Sequence, residues 1–434
     1  METSWLYGLL SLFVLALAFK FSSQGKRKLP PSPAPALPLL GHLHHLKLPL
    51  HLTYHNLSKK LGPIFSLRFG TRLMVVVSSP AIVEECFTKN DIVLANRPRF
   101  IIAKYIGYNY TSLVASPYGE YWRNLRRLTT IEIFSTARLN KFQSIRHDEV
   151  RLMLKKLYKT SYQDFTRVEL RPRFAELTFN NIMRMVAGKR YFGEDEENEE
   201  AKQFRELTDE VFKLGGVSNP ADFFPVFRWI DYKGLEKSLA RFGAEMDAFL
   251  QRLIDEHRRD KGGNTMIDHL LSLQESEPEY YTDVIIKGII MTFRLFPAAP
   301  LLVPHEASAD CKLGEYDIPR GTILQVNAWA IHRDPTVWDD PTSFHPERFE
   351  AAGEVGPTKL LPFGMGRRSC PGNGLANRVV GLTLASLIQC FEWQRTDDAF
   401  VDMTEGKGIS RPKTPLGARC KARNVLEKAL TQPA

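Results

Sequence analysis

The chain has 434 residues, of which 44% are apolar and 25% charged, a composition typical of globular proteins that excludes disordered and collagen-like ones. Its 5 Cys are odd in number and lack paired spacing, which excludes a disulfide scaffold and favours a reducing compartment. The net charge of +9 favours binding to an anionic membrane surface or to acidic partners. The sequence has no basic block with interleaved aromatic residues, so it does not indicate nucleic-acid binding.

The first segment predicts a membrane anchor at residues 1–21. The stretch from Trp5 to Phe21 is apolar apart from Ser11 and Lys20, and as a helix it would reach roughly 25 Å. A cleaved signal peptide is the alternative, but its positive charge would precede the apolar run, whereas here the basic residues 26–28 follow it. By the positive-inside rule, these residues keep the rest of the chain on the cytoplasmic side.

Residues 22–42 form a basic and proline-rich hinge, and residues 43–434 form the main domain. Five prolines lie between Pro30 and Pro38. Proline fixes φ and pushes the preceding residue into extended geometry, so this segment is predicted to be stiff and to hold the domain at a set angle to the bilayer. A linker with no directing role is the alternative.

The body of the domain begins with a predicted hairpin and continues as helices. Apolar and polar residues alternate from Ile64, and a turn at Gly70 leads to a second apolar strand that ends at Val77. Ser79-Pro80 then predicts the start of a helix over 81–87, and helical spacing dominates to about residue 290. The acidic run 193–200 is interpreted as a solvated loop between helices.

Five histidines lie between His42 and His55, with His51 and His55 four residues apart. This spacing is compatible with zinc, but no Cys lies nearby and no acidic residue accompanies the pair. An exposed amphipathic helix is therefore the preferred interpretation.

The strongest chemical motif is the loop PFGMGRRSCPGNG, residues 362–374. Its glycines permit close backbone approach, and Cys370 is predicted to lie where the loop meets a helix, just after two arginines. A helix N-terminus and neighbouring Arg lower the pKa of a thiol, which favours the thiolate that a metal ligand requires. A phosphate-binding loop and an ordinary tight turn are the alternatives.

This loop resembles the haem-binding loop of the cytochrome P-450 monooxygenases, whose pattern is Phe-x-x-Gly-x-Arg-x-Cys-x-Gly. The five matching residues are Phe363, Gly366, Arg368, Cys370 and Gly372. FHPERF at 344–349 and YWRNLRR at 121–127 are similar to further family segments in the same order, and 178–193 and 294–311 are similar to plant isoflavone-hydroxylase-like members. The resemblance implies a mainly α fold with a small β region.

The resemblance also implies the site and its partners. Cys370 would ligate the iron of haem b, with Arg368, Trp122, Arg126 and His305 at the propionates. The alternative for His305 is that it is an ordinary strand residue with no role in binding. The alternative for Trp122 and Arg126 is that they are a core Trp and a neighbouring surface Arg. The implied protein takes electrons from NADPH-cytochrome reductase at the endoplasmic reticulum membrane and hydroxylates a small apolar or aromatic plant metabolite. Residues 100–116, 298–303 and 408–415 are the predicted pocket segments.

The chain departs from the family at one place. The family's distal helix carries an acid and a hydroxyl that deliver protons, and this chain has no such segment. The family also has a Glu-x-x-Arg pair, and here Met291 takes the position of the Glu, three residues before Arg294. We interpret both losses as one internal deletion near residue 291 that removes most of the distal helix and the helices that follow it. Without the Glu, Arg294 and Arg348 are expected to face each other as like charges in the interior.

Two other functions compete with a working monooxygenase. A non-catalytic splice form or pseudogene product with weak or no haem binding follows from the missing acid–hydroxyl pair, so no catalytic side chain is predicted. A nucleotide-binding protein would use the Gly-rich loop, but the loop lacks a Lys-Ser/Thr ending and a preceding strand.

Overall fold

The computed structural model describes residues 27–193, 198–215, 219–295, 300–350, 356, 358–396 and 413–426. The helices are α1 (Leu50–Leu61), α2 (Pro80–Phe87), α3 (Ile101–Tyr105), α4 (Glu120–Leu128), α5 (Thr136–Lys141), α6 (Gln143–Ser161), α7 (Leu170–Ala187), α8 (Glu199–Gly215), α9 (Leu235–Arg259), α10 (Met266–Ser276), α11 (Asp283–Leu295), α12 (Ala328–Ile331) and α13 (Asn373–Cys390). The strands are β1 (Ile64–Phe69), β2 (Arg72–Val77), β3 (Thr166–Glu169), β4 (His305–Glu306), β5 (Cys311–Leu313), β6 (Tyr316–Ile318), β7 (Ile323–Val326), β8 (Phe391–Gln394) and β9 (Gly417–Ala422).

Among the residues that the structure describes, the small β region consists of three sheets. The largest has the strand order β1-β2-β7-β4, with β2 and β7 parallel and the other neighbours antiparallel. The order β3-β9-β8 forms a second sheet, and β5 pairs with β6. The predicted hairpin is confirmed as β1 and β2, since Ile64 pairs with Val77 and Phe69 with Arg72. The predicted mainly α fold is confirmed as well.

The helical core lies where α7, α8, α9, α10 and α11 pack together. In α9, apolar residues recur at helical spacing and are fully buried, among them Phe242, Phe249 and Ile254. α11 contributes Ile286, Ile289 and Met291 to the same cluster. The residue that replaces the family's Glu is therefore an ordinary core side chain here.

Helix α13 packs on α6 with one face and leaves the other uncovered. Leu387 and Cys390 are buried against α6, whereas Val380, Leu384 and Ile388 are 62%, 56% and 58% exposed. The three exposed residues are spaced four apart, so they form one apolar stripe along two turns of the helix. We call these three residues the α13 stripe.

Some predicted segments lie outside the described residues, and one prediction is corrected by the structure. The anchor at 1–21 and residues 194–197 of the acidic run lie outside the described residues. Within the described part of the chain, no helix is long and apolar enough to cross a membrane. The prediction of an exposed helix for the histidine pair is wrong for His51, which is buried in α1 because its ring packs against that of Trp329, 5.2 Å between centroids. No group of metal-ligating side chains occurs among the residues described.

Candidate cofactor site

The loop at 362–374 is held in a tight, left-handed path. Gly364 and Gly366 have φ of 67° and 71°, values that disfavour any side chain. A Cβ on Gly366 would lie 2.5 Å from the Oδ1 of Asp91. The same carboxylate accepts from the backbone N–H of Arg367 at 3.1 Å and pairs with its guanidinium at 3.2 Å. Asp91 therefore fixes the loop against the segment that follows α2.

Cys370 lies at the junction predicted from the sequence. Its N–H donates to the carbonyl oxygen of Phe363 at 2.8 Å, which closes the loop, and α13 begins three residues later. A Cβ on Gly372 would lie 3.4 Å from the ring of Phe134, so this residue is also closely packed.

Among the five cysteines, Cys370 is the exposed one. Cys86, Cys390 and Cys420 are buried and Cys311 is half-buried. Burial raises the pKa of Cys86 well above its ordinary value and that of Cys311 to about 11. An accessible thiol at the start of a helix is suited to metal ligation, whereas buried thiols with raised pKa are not.

Arg368 is pulled into the protein by three backbone carbonyls. Its guanidinium donates to the oxygens of Ala95, Leu113 and Ser116 at 2.7, 3.1 and 2.6 Å. It also lies 4.2 Å from the ring centroid of Trp122. Burial, then the charges of two neighbouring arginines, lower its pKa to about 8.

A second buried arginine, Arg97, lies beside Arg368. It is 9% exposed and donates to the carbonyl oxygens of Val303 and Pro304 at 2.8 and 2.7 Å. Burial lowers its pKa to about 9, and its Nε has no hydrogen-bond partner. An unpaired buried donor on a charged group is costly unless a ligand completes it.

The two residues predicted on α4 lie on one helix face, four positions apart. Trp122 is buried and its indole N–H donates to the carbonyl oxygen of Leu113 at 3.0 Å. Arg126 donates to the backbone carbonyl and the hydroxyl of Ser369, the residue before Cys370. Burial lowers the pKa of Arg126, while the nearby Cys370 thiol acts in the opposite direction.

His305 is buried on β4, near Arg97 and Arg368. Its Nδ1 lies 2.7 Å from the carbonyl oxygen of Leu94. Burial lowers its pKa well below the usual value, and the charges of Arg97 and Arg368 act in the same direction. Among the described residues, no acidic side chain forms an ion pair with Arg97, Arg126 or Arg368. We call these three arginines and His305 the cationic cluster.

Arg348 does not behave as predicted. Its guanidinium donates to four backbone carbonyls of the segment 339–345, at 2.7 to 3.2 Å. Its charge is thus stabilised within its own loop and does not lie in a low-dielectric interior. The side chain of Arg294 lies outside the described residues.

Comparison with known proteins decides the family. The sequence model of the cytochrome P-450 family matches residues 30–293 and 281–418. The chain belongs to the cytochrome P-450 family.

Relatives agree with this assignment, and a solved structure has the same fold. The chain is 54% identical to cytochrome P-450 81Q32 of Catharanthus roseus, with all of both chains covered. It is 49% identical to a (+)-piperitol/(+)-sesamin synthase of Sesamum radiatum, covering 100% and 99%, and 47% identical to isoflavone 3'-hydroxylase of Medicago truncatula, covering 96% and 97%. A zebra fish cytochrome P-450 solved with progesterone has a TM-score of 0.72 at 22% identity, covering 87% of this chain and 100% of that one.

The comparisons also locate the missing segment. The alignment with the Catharanthus relative runs over 498 positions, although this chain has 434 residues, so several dozen positions have no residue here. The two matches to the family model overlap at residues 281–293, of which 283–293 lie in α11. This cytochrome P-450 therefore lacks a segment that its relatives carry, and the junction lies in α11.

The residues of the site fit the family's cofactor, haem b. The cationic cluster, with the unpaired Nε of Arg97, suits the two carboxylates of the haem, and Cys370 would offer the sulfur ligand. When bound, haem would supply the oxidative chemistry, in which a thiolate ligand favours O–O cleavage. This chain's own residues would present the thiol at a helix start, neutralise the carboxylates, and orient the group through the loop at 362–374.

Arg97 is a residue of the site that no sequence pattern indicates. It lies in NRPRF, residues 96–100, where Pro98 forces Arg97 into extended geometry. This local pattern does not predict what the Arg97 side chain contacts, because the groups it binds are more than 200 positions away in sequence. Only the folded chain brings Arg97, His305 and Arg368 together.

The cationic cluster predicts a pH-dependent cofactor affinity. Because Nδ1 of His305 donates to Leu94, Nε2 can donate only when the ring is doubly protonated. A bound carboxylate raises the lowered pKa of His305, so binding takes up a proton and the affinity falls as pH rises. We expect hemin to bind three- to tenfold more tightly at about pH 6 than at about pH 8, measured by spectroscopic titration.

His305→Gln is the control for this effect, because its amide donates at every pH. Ionisation of the thiol also changes hemin affinity with pH, but it does so in both chains. The pH dependence that the parent shows and the Gln variant lacks is therefore due to His305. Identical pH profiles for the two chains would contradict this role of His305.

Proposed function

We propose that this protein derives from a membrane-anchored monooxygenase that hydroxylates a small aromatic plant metabolite with electrons from NADPH-cytochrome reductase. The observation that carries the proposal is the exposed Cys370 at the start of α13, close to Arg126 in the cationic cluster. The names of the relatives support an aromatic substrate, since they include an isoflavone 3'-hydroxylase and a (+)-piperitol/(+)-sesamin synthase.

The test is a substrate panel on a repaired chain. The segment missing at α11 is restored from the Catharanthus relative, and the product is supplied with reductase, NADPH and a set of isoflavones, lignans and aliphatic terpenoids. Hydroxylation of the aromatic members supports the proposal. Conversion of the aliphatic members alone would overturn the substrate class, and no conversion of any member would overturn the function.

For the chain as written we propose the second function, that of a non-catalytic form. The specific observation in its favour is the junction within α11, where the buried Met291 replaces the expected Glu. The transcript across Met291–Thr292 tests its origin: a longer message that contains the missing segment would identify this chain as a splice form or gene-model error.

Membrane orientation gives a separate prediction. The sequons at Asn56 and Asn109 are both on exposed residues, so burial does not protect them from glycosylation. If the domain faces the cytoplasm at the endoplasmic reticulum membrane, both asparagines remain unmodified. We expect no glycosidase-sensitive mobility shift in the membrane-expressed chain, and such a shift would contradict the cytoplasmic orientation.

A further inference from the structure

Lys287 on α11 is a buried charge that the cofactor site does not use. It is 6% exposed, and its Nζ lies 2.5 Å from the Oδ1 of Asp247 on α9. Burial, then the charge of the same carboxylate, raises the pKa of Tyr108, and Nζ of Lys287 lies 5.7 Å from the centre of the Tyr108 ring. A cation, a carboxylate and a phenol thus join α11 and α9 to the segment after α3.

Tyr108 begins an unusual turn. Tyr108, Asn109 and Tyr110 have φ of 50°, 52° and 65°, three successive non-glycine residues in the left-handed region. Each such residue is energetically unfavourable and persists only where its surroundings hold it. The turn's own bonds are local: the N–H groups of residues 109–112 donate to carbonyls of residues 103–107. Contacts from outside the turn are needed to explain its conformation.

Helix α11 supplies those contacts. A Cβ built on Gly288, next to Lys287, would lie 3.8 Å from Cδ2 of Tyr108 and 3.9 Å from Cα of Ser112. The turn therefore lies directly against the backbone of α11, with the Lys287 side chain over the Tyr108 ring. The ion pair with Asp247 fixes that side chain in place.

The far end of the same segment touches the cofactor site. The carbonyl oxygen of Leu113 accepts from Trp122 and from Arg368, and that of Ser116 accepts from Arg368. The segment from 106 to 116 is thus attached at both ends, to α11 and α9 through Tyr108 and to the cationic cluster through Leu113 and Ser116.

We propose that Lys287 and Asp247 are positioning residues that hold the turn at 108–110 in its left-handed conformation and thereby set the shape of the substrate-facing wall at 100–116. That this segment faces the substrate rests on the proposed function. The attachment itself is a property of the chain without cofactor or substrate, so it can be tested separately.

The experiment is hydrogen exchange on the full chain. In Lys287→Met, which keeps the length of the side chain but removes its charge, we expect the amides of 109–112 to exchange about tenfold faster than in the parent. Asp247→Asn should have a similar effect. The double variant should exchange no faster than either single one, because both remove the same interaction.

Two controls keep the result specific. Lys261→Met removes an ion pair with Glu275 in which both side chains are mostly exposed, and it should leave the exchange of 109–112 unchanged. The amides of 250–254 in α9 report on global unfolding. Faster exchange confined to 109–112 supports the proposal. Unchanged exchange at 109–112, equal acceleration throughout the chain, or additive effects in the double variant would each overturn it, without bearing on the proposed function.

Discussion

Expressed with a plant reductase and offered an isoflavone, the 434-residue chain should form at least about 10²-fold less hydroxylated product than a chain with the missing segment and a Glu at position 291 restored. The physical reason is the loss of the positioned acid and hydroxyl, since general acid catalysis contributes roughly 10²–10⁴-fold. Product is measured by mass spectrometry at equal protein concentration, with haem content determined in parallel.

The matched control is the restored chain with Met kept at position 291. It separates the effect of the missing segment from that of the Glu, which is expected to stabilise the packing around the haem loop. Robust reductase-dependent hydroxylation by the chain as written would contradict the prediction and mean that another residue supplies the proton.

The second large effect is expected at Cys370. In the restored chain, Cys370→Ala should abolish the thiolate-ligated spectrum of the reduced carbonyl complex and most haem retention, because Cys370 is the accessible thiol at the helix start. Cys311→Ala, at a half-buried thiol outside the site, should change neither. If the Cys370 variant kept its haem with an unchanged spectrum, the assignment of the ligand would be wrong.

The parts of this protein that could be predicted from sequence are those determined locally. The β1–β2 hairpin follows from alternation and a Gly turn, and the position of Cys370 at a loop–helix junction follows from glycine spacing. Neither depends on distant residues.

The parts that sequence reasoning missed depend on long-range contacts. His51 is buried because Trp329 packs on it, and Lys287 is paired with Asp247 of another helix. The sequence predicts that Arg348 faces Arg294 as a like charge in the interior, but nearby backbone carbonyls accept hydrogen bonds from Arg348 instead. In each case the packing of helices and strands determines the contact partner, and the hydrophobic periodicity of the sequence does not predict that packing.

The α13 stripe has a consequence for the life of this protein in a cell. An uncovered apolar surface along a helix is the feature that chaperones and proteases recognise on unfinished chains, and it also promotes aggregation. We therefore expect quality control to lower the steady-state amount of this protein. Val380, Leu384 and Ile388 would act as the recognised surface, so that a message of normal abundance would yield less protein than it would for a chain without the stripe.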